Sequence, residues 1–411
     1  MLSVFRRLHQ PLRVAVAGIL LTLPLPLSIV NGNEPGTLLP PVERTITSGP
    51  WGTLEFYPIR LEPPTTQLWS SLFNSRTIWN FGILTETGAL AELGKLGFSD
   101  EALDTLRSQG VWGRTKSGLE VIVPDSVVEA VTPETRVALA DWLHDNNYDF
   151  YNRIIINIEG GEFSAFTEDK VAPRVLALLK SLSFKRNKVL SFMDLPYVMR
   201  MIGDDEEEKV DFIKVILSTK SLMVRLVVDE TTDREAVVAY WSQGGRTSRI
   251  DSMVRGVEST VGVDKIDIVH LLPPLPRRYL NAFSRVSDTG AINTPDCFWA
   301  SVHFFQRNPS PRILDALSLE HYLAHDFIEV EVEGEGEGEA ELRFGDLVCL
   351  MRGDDNSFLH SYVHIADDIV YTKNGASYVH PFILALKSDM MSRYPQDGAL
   401  KTRVFRRIQG S

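Results

Sequence analysis

The chain has 411 residues, a hydrophobic fraction of 44%, a charged fraction of 23% and a formal net charge of −12. This is the composition of a folded protein with material for more than one core, at a length that predicts two or three domains. The surplus of carboxylates argues against a nucleic-acid partner, because phosphate backbones are held by Lys and Arg. Any other anionic partner would need a local basic patch.

Arg6, Arg7 and Arg13 stand before the apolar run VAVAGILLTLPLPLSIV, Val14 to Val30. A positive segment followed by an apolar one predicts an export signal over residues 1–32, with the mature chain starting near Asn33. The run is shorter than the ~20 residues a spanning helix needs, and Pro24 and Pro26 break it. A retained membrane anchor is the alternative. The expected location is periplasmic, cell-envelope or extracellular, with no transmembrane segment after cleavage. Residues 33–50, rich in Gly and Pro without periodicity, read as a linker.

Residues 51–285 predict a helix-rich domain of α+β character. Ser126 with Glu129 and Thr232 with Glu235 have the capping-box spacing, and Thr132-Pro133-Glu134 orders a cap, a first-turn proline and an acid. The acids Asp204–Glu208 open a helix in which Val210, Ile213, Ile216 and Leu217 share a face. The runs VWGRTKSGLEVIVP near residue 111 and SLMVRLVVD near residue 221 read as strands. No internal repeat and no chemistry-bearing motif stands out. The prolines of LLPPLPRR, Leu271 to Arg278, predict a domain boundary, followed by loop-like SDTGAINTP.

The last part, 286–411, opens on TPDCFWASVHFF. Thr294, Pro295 and Asp296 are helix-start residues, which puts Cys297 in a first turn with Phe298, Val302 and Phe305 as a buried stripe. A thiol there feels the positive end of the helix dipole, which lowers its pKa and favours thiolate. Further on, GDLVCLM, HSYVHIA and IVYTKNG read as three strands, with Ala366-Asp367-Asp368 as the turn between the last two. The period of two puts His360, Tyr362 and His364 on one face. Cys349 reads as a core residue of the first strand.

Asp296-Cys297 at a helix start, Gly345-Asp346-Leu347-Val348 and then HSYVHIADD resemble the NlpC-type cell-wall cysteine peptidases, which are papain-like peptidoglycan hydrolases. Their pattern is aspartate-cysteine, then GDLVFF, then HVGIYLGDG. The resemblance covers the last part only and leaves residues 51–285 without a role. It implies a papain-like domain in which an N-terminal catalytic helix packs on an antiparallel sheet. Cys297 is then the nucleophile and His360 its base, with no metal and no cofactor. The family spacing puts the residue that orients the histidine on Thr372. Asn374, on the same strand face, is the better amide for the task and is the expected one, with Thr372 as the alternative. Asp296, Tyr362 and His364 would support the site or contact substrate. The implied reaction is cleavage of an amide in peptidoglycan stem peptides, or in a related envelope substrate, by acyl transfer. Phe298 and Trp299 stand where the family carries small residues.

Two other readings stay open. One is a degenerate papain-like module that binds such ligands without cleaving them. The other is a structural exported protein in which Cys297 and Cys349 form a disulfide. His321 and His325, four apart in LEHYLAHD, read as a surface pair without a third metal ligand. The alternating Gly-Glu stretch within Glu329–Glu341 reads as a flexible loop or hairpin tip.

Overall fold

The computed structural model describes residues 44–64, 76–116, 118–146, 155–158, 163, 166–167, 170–186, 189–243, 247–284, 295–310, 316–331, 342–353, 356–394 and 400–408. The expected export signal and the EGEGEGE stretch lie outside them. The expected linker does not run to residue 50. Thr45–Gly49 is a strand, β1, paired antiparallel with β2 (Gly52–Leu61) from Thr45↔Phe56 to Gly49↔Gly52. Its β-branched residues supply the strand, and its partner lies just beyond a tight turn, so a Gly/Pro count missed it.

Between residues 76 and 217 two small antiparallel sheets are covered by helices. The first sheet holds β3 (Ile78–Asn80), β4 (Val111–Thr115) and β5 (Gly118–Ile122). The second holds β6 (Ile156–Ile158), β7 (Phe184–Arg186) and β8 (Val189–Phe192). The helices are α1 (Glu86–Lys95), α2 (Asp100–Gln109), α3 (Asp125–Ala130), α4 (Pro133–Asp145), α5 (Pro173–Leu182), α6 (Leu195–Ile202) and α7 (Glu206–Ile216). Thr132 Oγ1 accepts from the Thr135 N–H at the start of α4, and Asp205 accepts from Glu208 N at α7. The box expected at Ser126 does not form, because α3 starts at Asp125 behind Pro124 with no side-chain cap. One apolar cluster built around Trp79, Phe81, Val121, Phe184, Phe192 and Phe212 unites this body. Inside it Arg136 and Asp194 form a buried ion pair, and Arg136 also donates to the Val128 carbonyl.

After α7 the chain returns to the first hairpin. β9 (Thr219–Val227) pairs with β2 along its length, from Leu61↔Thr219 to Thr53↔Val227, and β10 (Lys265–Asp267) completes the order β1-β2-β9-β10. Helices α8 (Arg234–Trp241) and α9 (Thr247–Glu258) follow β9. The cap of α8 is Asp233, one residue beyond the expected Thr232, whose hydroxyl instead accepts from the Asp229 N–H. The prolines of LLPPLPRR start a helix, α10 (Pro274–Tyr279), with proline in its first turn, where no N–H is missed.

The C-terminal layer holds α11 (Cys297–Val302), α12 (Ala316–Asp326), β11 (Phe327–Val330), β12 (Leu347–Arg352), β13 (Phe358–Ala366), β14 (Ile369–Lys373), β15 (Phe382–Leu386), α13 (Lys387–Met391) and β16 (Leu400–Arg407). Its six strands run in the order β11-β16-β12-β13-β14-β15, each antiparallel to its neighbours. The period of two sorts the side chains. Ser361, Val363 and Ile365 of β13 face α11, whereas Tyr362 joins Val348, Leu350, Val370, Met390 and Val404 on the other side. Gly345 is fixed by its surroundings: its φ is +89°, and a Cβ there would lie 2.2 Å from the Phe305 ring. Asp346 is buried and takes a two-toothed ion pair from Arg406 at 2.9 and 2.6 Å, which ties the GDLV segment to β16.

The expected boundary near residue 286 does not separate two cores. Leu54, Phe56, Leu222, Val224, Trp241 and Leu272 share one cluster with Trp299, Ala300, Phe304, Val363, Ile365 and Phe382. Leu280 bridges to Phe382, and the Tyr240 hydroxyl donates to the Ile365 carbonyl at 2.7 Å. The protein is thus mixed α and β with antiparallel sheets, and the β1-β2-β9-β10 sheet is built into the C-terminal layer. No described helix is long and apolar enough to cross a membrane.

Candidate functional site

The site lies where β13 and β14 part company. Their ladder runs from Ala366↔Ile369 to Val363↔Tyr371 and is not continued by Ser361 and Lys373. α11 begins over this gap. Asp296 caps it, accepting from the Trp299 N–H at 2.8 Å, so Cys297 is the first helical residue, as the sequence predicts. Ser301, one turn on, meets Ser361 hydroxyl to hydroxyl at 3.0 Å and pins the helix to β13. The Ser361 N–H is one of the groups that favour the Cys297 thiolate. Cys297 thus stands on the face of β13 that carries Ser361, the residue after His360.

His360 leaves β13 on the opposite side from Ser361. Its ring stacks on Tyr394 with centroids 5.3 Å apart and planes at 29°. Its Nε2 lies 3.0 Å from Thr372 Oγ1, and that hydroxyl donates to the Ser361 carbonyl at 3.0 Å. A hydroxyl has one proton, so with that proton on Ser361 O the ring N–H must be on Nε2, leaving the lone pair on Nδ1. The residue that meets the ring is Thr372 and not Asn374. β14 ends at Lys373, and Asn374 turns into the following loop, where its backbone carbonyl accepts from His380 Nδ1 at 2.6 Å. No hydrogen bond joins the Cys297 sulfur to His360. Tyr362 and His364 continue along the face of His360, both buried, and the Asp367-Asp368 turn follows as expected, with Asp367 at a φ of 49°.

Electrostatics differ from the sequence expectation. A six-residue helix does not outweigh the loss of water. Burial, and next the Asp296 carboxylate, push the Cys297 thiol up to about 12, against the pull of the Ser361, Phe298 and Cys297 N–H groups. The residue is 4% exposed. Burial, aided by Arg393, brings His360 down to about 3, and burial brings His364 to about 4. At neutral pH the thiol and the imidazole are both uncharged. Burial also raises Asp296, which its bond from Trp299 and the charge of Lys373 oppose.

Sequence reading missed Lys373. It is fully buried, its Nζ donates to the Gly375 and Ser377 carbonyls at 2.8 and 2.7 Å, and it lies 5.9 Å from the centre of the Phe382 ring. Burial lowers it to about 8, opposed by Asp296 and Cys297. The signal was present: in IVYTK, Lys373 has the parity of Ile369 and Tyr371, the core-facing positions.

The other candidates resolve simply. Cys297 and Cys349 are both free thiols, although Cys349 is buried on the same side of the sheet, opposite Ser361 in the β12–β13 register. His321 and His325 stand on α12 with ring centres 4.0 Å apart, and His325 Nδ1 donates to the His321 carbonyl. Among the described residues no cluster of three or more His, Cys, Asp or Glu could hold a metal ion. A thiol and a buried ammonium stand on the α11 side of the sheet, and an imidazole held by a hydroxyl stands on the other side. Compared with family models, with curated proteins and with solved structures, the chain matches none.

Proposed function

We propose that the C-terminal layer is a papain-like cysteine hydrolase module that cleaves an amide bond. Cys297 is its nucleophile, His360 its base and Thr372 the residue that orients the base. One observation carries this reading: the chain of contacts from Thr372 to His360 Nε2 and to the Ser361 carbonyl, on the strand that α11 packs against. It leaves the lone pair on Nδ1, the ring nitrogen nearer the main chain. The thiol attacks a substrate carbonyl as its proton passes to Nδ1, and a carbon–sulfur bond forms. The developing oxyanion is met by the Cys297 backbone N–H. The imidazolium returns the proton to the leaving amine as the carbon–nitrogen bond breaks. Water, deprotonated by the same nitrogen, then releases the acid and restores the thiol.

The resemblance of the Asp296-Cys297, GDLV and HSYVHIADD segments to the NlpC-type family points to peptidoglycan stem peptides, or a related envelope amide, as substrate. The arginine-led apolar N-terminus agrees with export to that compartment. In the described state both partners are neutral and dry, so substrate must meet a thiol that is not yet ionised. Incubation with purified peptidoglycan fragments tests the reading: the native protein should release new amine, and Cys297→Ser and His360→Ala should each lower the rate at least a hundredfold, within the ~100- to 10,000-fold range of general-base contributions. Equal rates in native protein and C297S would sink it.

A second reading, a module of the same fold that binds such fragments without cleaving them, is favoured by the burial of the thiol. It predicts retained binding of fragments with no amine released by the native protein.

A further inference from the structure

The last turns of α12 carry a pair of imidazoles that the proposed chemistry does not use. His321 and His325 are four residues apart, so they stand one above the other on one helix face. Both are exposed. Their ring centres are 4.0 Å apart and their planes meet at 34°. His325 Nδ1 lies 2.8 Å from the His321 carbonyl oxygen. A carbonyl only accepts, so the proton of the neutral His325 ring is on Nδ1 and its lone pair is on Nε2, at the outer end. Metal-binding histidines are built this way, with the second ring nitrogen tied to a carbonyl or carboxylate that fixes the ring. The helix is fixed too. On its opposite face Leu319 and Leu323 pack with Val302, Leu347 and Phe405, and the Ile408 N–H bonds the Asp326 carbonyl at 2.9 Å. His325 stands in the last turn, where the free carbonyls of a helix end favour a cation.

We propose that His321 and His325 form a two-imidazole binding site for a divalent cation of the zinc, nickel and copper group, with water in its remaining positions. Two histidines at this spacing are how a single helix presents both nitrogens to one zinc ion. Imidazole suits these metals, whereas magnesium and calcium take oxygen ligands. Two nitrogens bound at ~2.0 Å in adjacent positions put their ring centres about 4.5 Å apart. From 4.0 Å the pair has to open by about half an ångström, a change that side-chain torsions supply without moving the helix. Glu329, in the strand that follows, gives both carboxylate oxygens to Arg403 at 2.6 and 2.7 Å and is not a ready third ligand. The site therefore holds its metal by two protein nitrogens and leaves the outer positions open to exchange. It is independent of the reading of Cys297.

The test is diethyl pyrocarbonate labelling of the full chain with and without ZnCl2 or NiCl2, read at each histidine by peptide mass spectrometry. Saturating zinc or nickel should slow labelling of His321 and His325 at least about tenfold, because a metal-bound nitrogen has no lone pair left to react. His270, which is also exposed, should label at an unchanged rate. MgCl2 at the same ionic strength should protect neither member of the pair. His321→Ala and His325→Ala should each weaken zinc binding in calorimetry at least about tenfold, since either loss opens the chelate. In H321A the protection of the surviving His325 should go as well. Labelling of the pair that stays at the metal-free rate in both metals would overturn the proposal, even if metal binds elsewhere on the chain. So would equal protection by magnesium, or native affinity in H325A. Should an alanine variant not fold, labelling of the native protein decides alone.

Discussion

The body formed by residues 76–217 and the layer formed by residues 295–408 both bury charge, but they do so differently. In the first, Arg136 and Asp194 answer each other, and the guanidinium has a carbonyl as well. In the second, a thiol, an imidazole, an ammonium and a carboxyl lie on the two sides of the sheet near the end of two strands, each bonded to a neutral partner or to none of the others. Closed pairing is what a structural charge needs. An open convergence of unlike groups, each shifted from its ordinary pKa, is what a reactive site needs. On the proposed reading, the first region is scaffold and the second carries the chemistry.

The largest expected effect breaks the closed pair. Asp194→Ala leaves Arg136 buried and unanswered and should cost about 3–5 kcal/mol in a chemical unfolding measurement. In conditions where the variant stays folded, alkylation of Cys297 should keep its native rate. A coupled loss of thiol reactivity would mean that the two regions do not act separately.

Acid should separate the regions next. His360, His364 and His380 have folded pKa values of about 3, 4 and 4, below the ordinary ~6.5 of histidine. Groups lowered on folding give stability that is complete above pH 6.5 and is lost as pH falls towards those values. By pH 5 each costs about 2 kcal/mol. Asp194 has the opposite sign: burial raises it to about 6, against the pull of Arg136, so its folded form gains relative stability as pH falls through 6. Hydrogen exchange corrected for intrinsic rate should therefore quicken in β13 and β14 between pH 7 and 5 before it quickens in α4 and α6. Simultaneous loosening of both regions would contradict the assignment.

The smallest effect sharpens the site itself. Thr372→Val removes both hydrogen bonds of the hydroxyl, and loss of the one to His360, worth about 1 kcal/mol, should lower turnover roughly three- to tenfold with KM little changed. Thr372→Ser should recover most of it. A loss of the same size in both variants would show that the methyl packing, and not the hydroxyl, matters.

Much of this layer was legible in the sequence because its signals are local. The period of two put His360, Tyr362 and His364 on one face, and the cap Asp296 announced the helix at Cys297. What was not legible depends on distant partners. Asn374 and Thr372 have the same parity, and only the pairing of β14 with β15, ending at Lys373↔Phe382, decides which remains in the strand. The chain from Leu271 to Leu275 looks like a boundary by its prolines, yet its leucines are buried in a core supplied by β2, β9 and α11. The depressed thiol expected of a helix start was missed for a related reason. The dipole is local, whereas the burial that overrides it is set by the whole sheet.

The central claim is that Cys297 forms a covalent acyl intermediate with the help of His360. Intact-mass and peptide mass spectrometry after brief acid quenching of a reaction with a peptidoglycan fragment, or with an activated ester of the same acyl group, tests it most directly. The account predicts one acyl group on Cys297 in the native protein, slower acylation in His360→Ala, and none in Cys297→Ala. Native protein that stays unmodified while still binding the fragment, or an acyl group found on another residue, would contradict it.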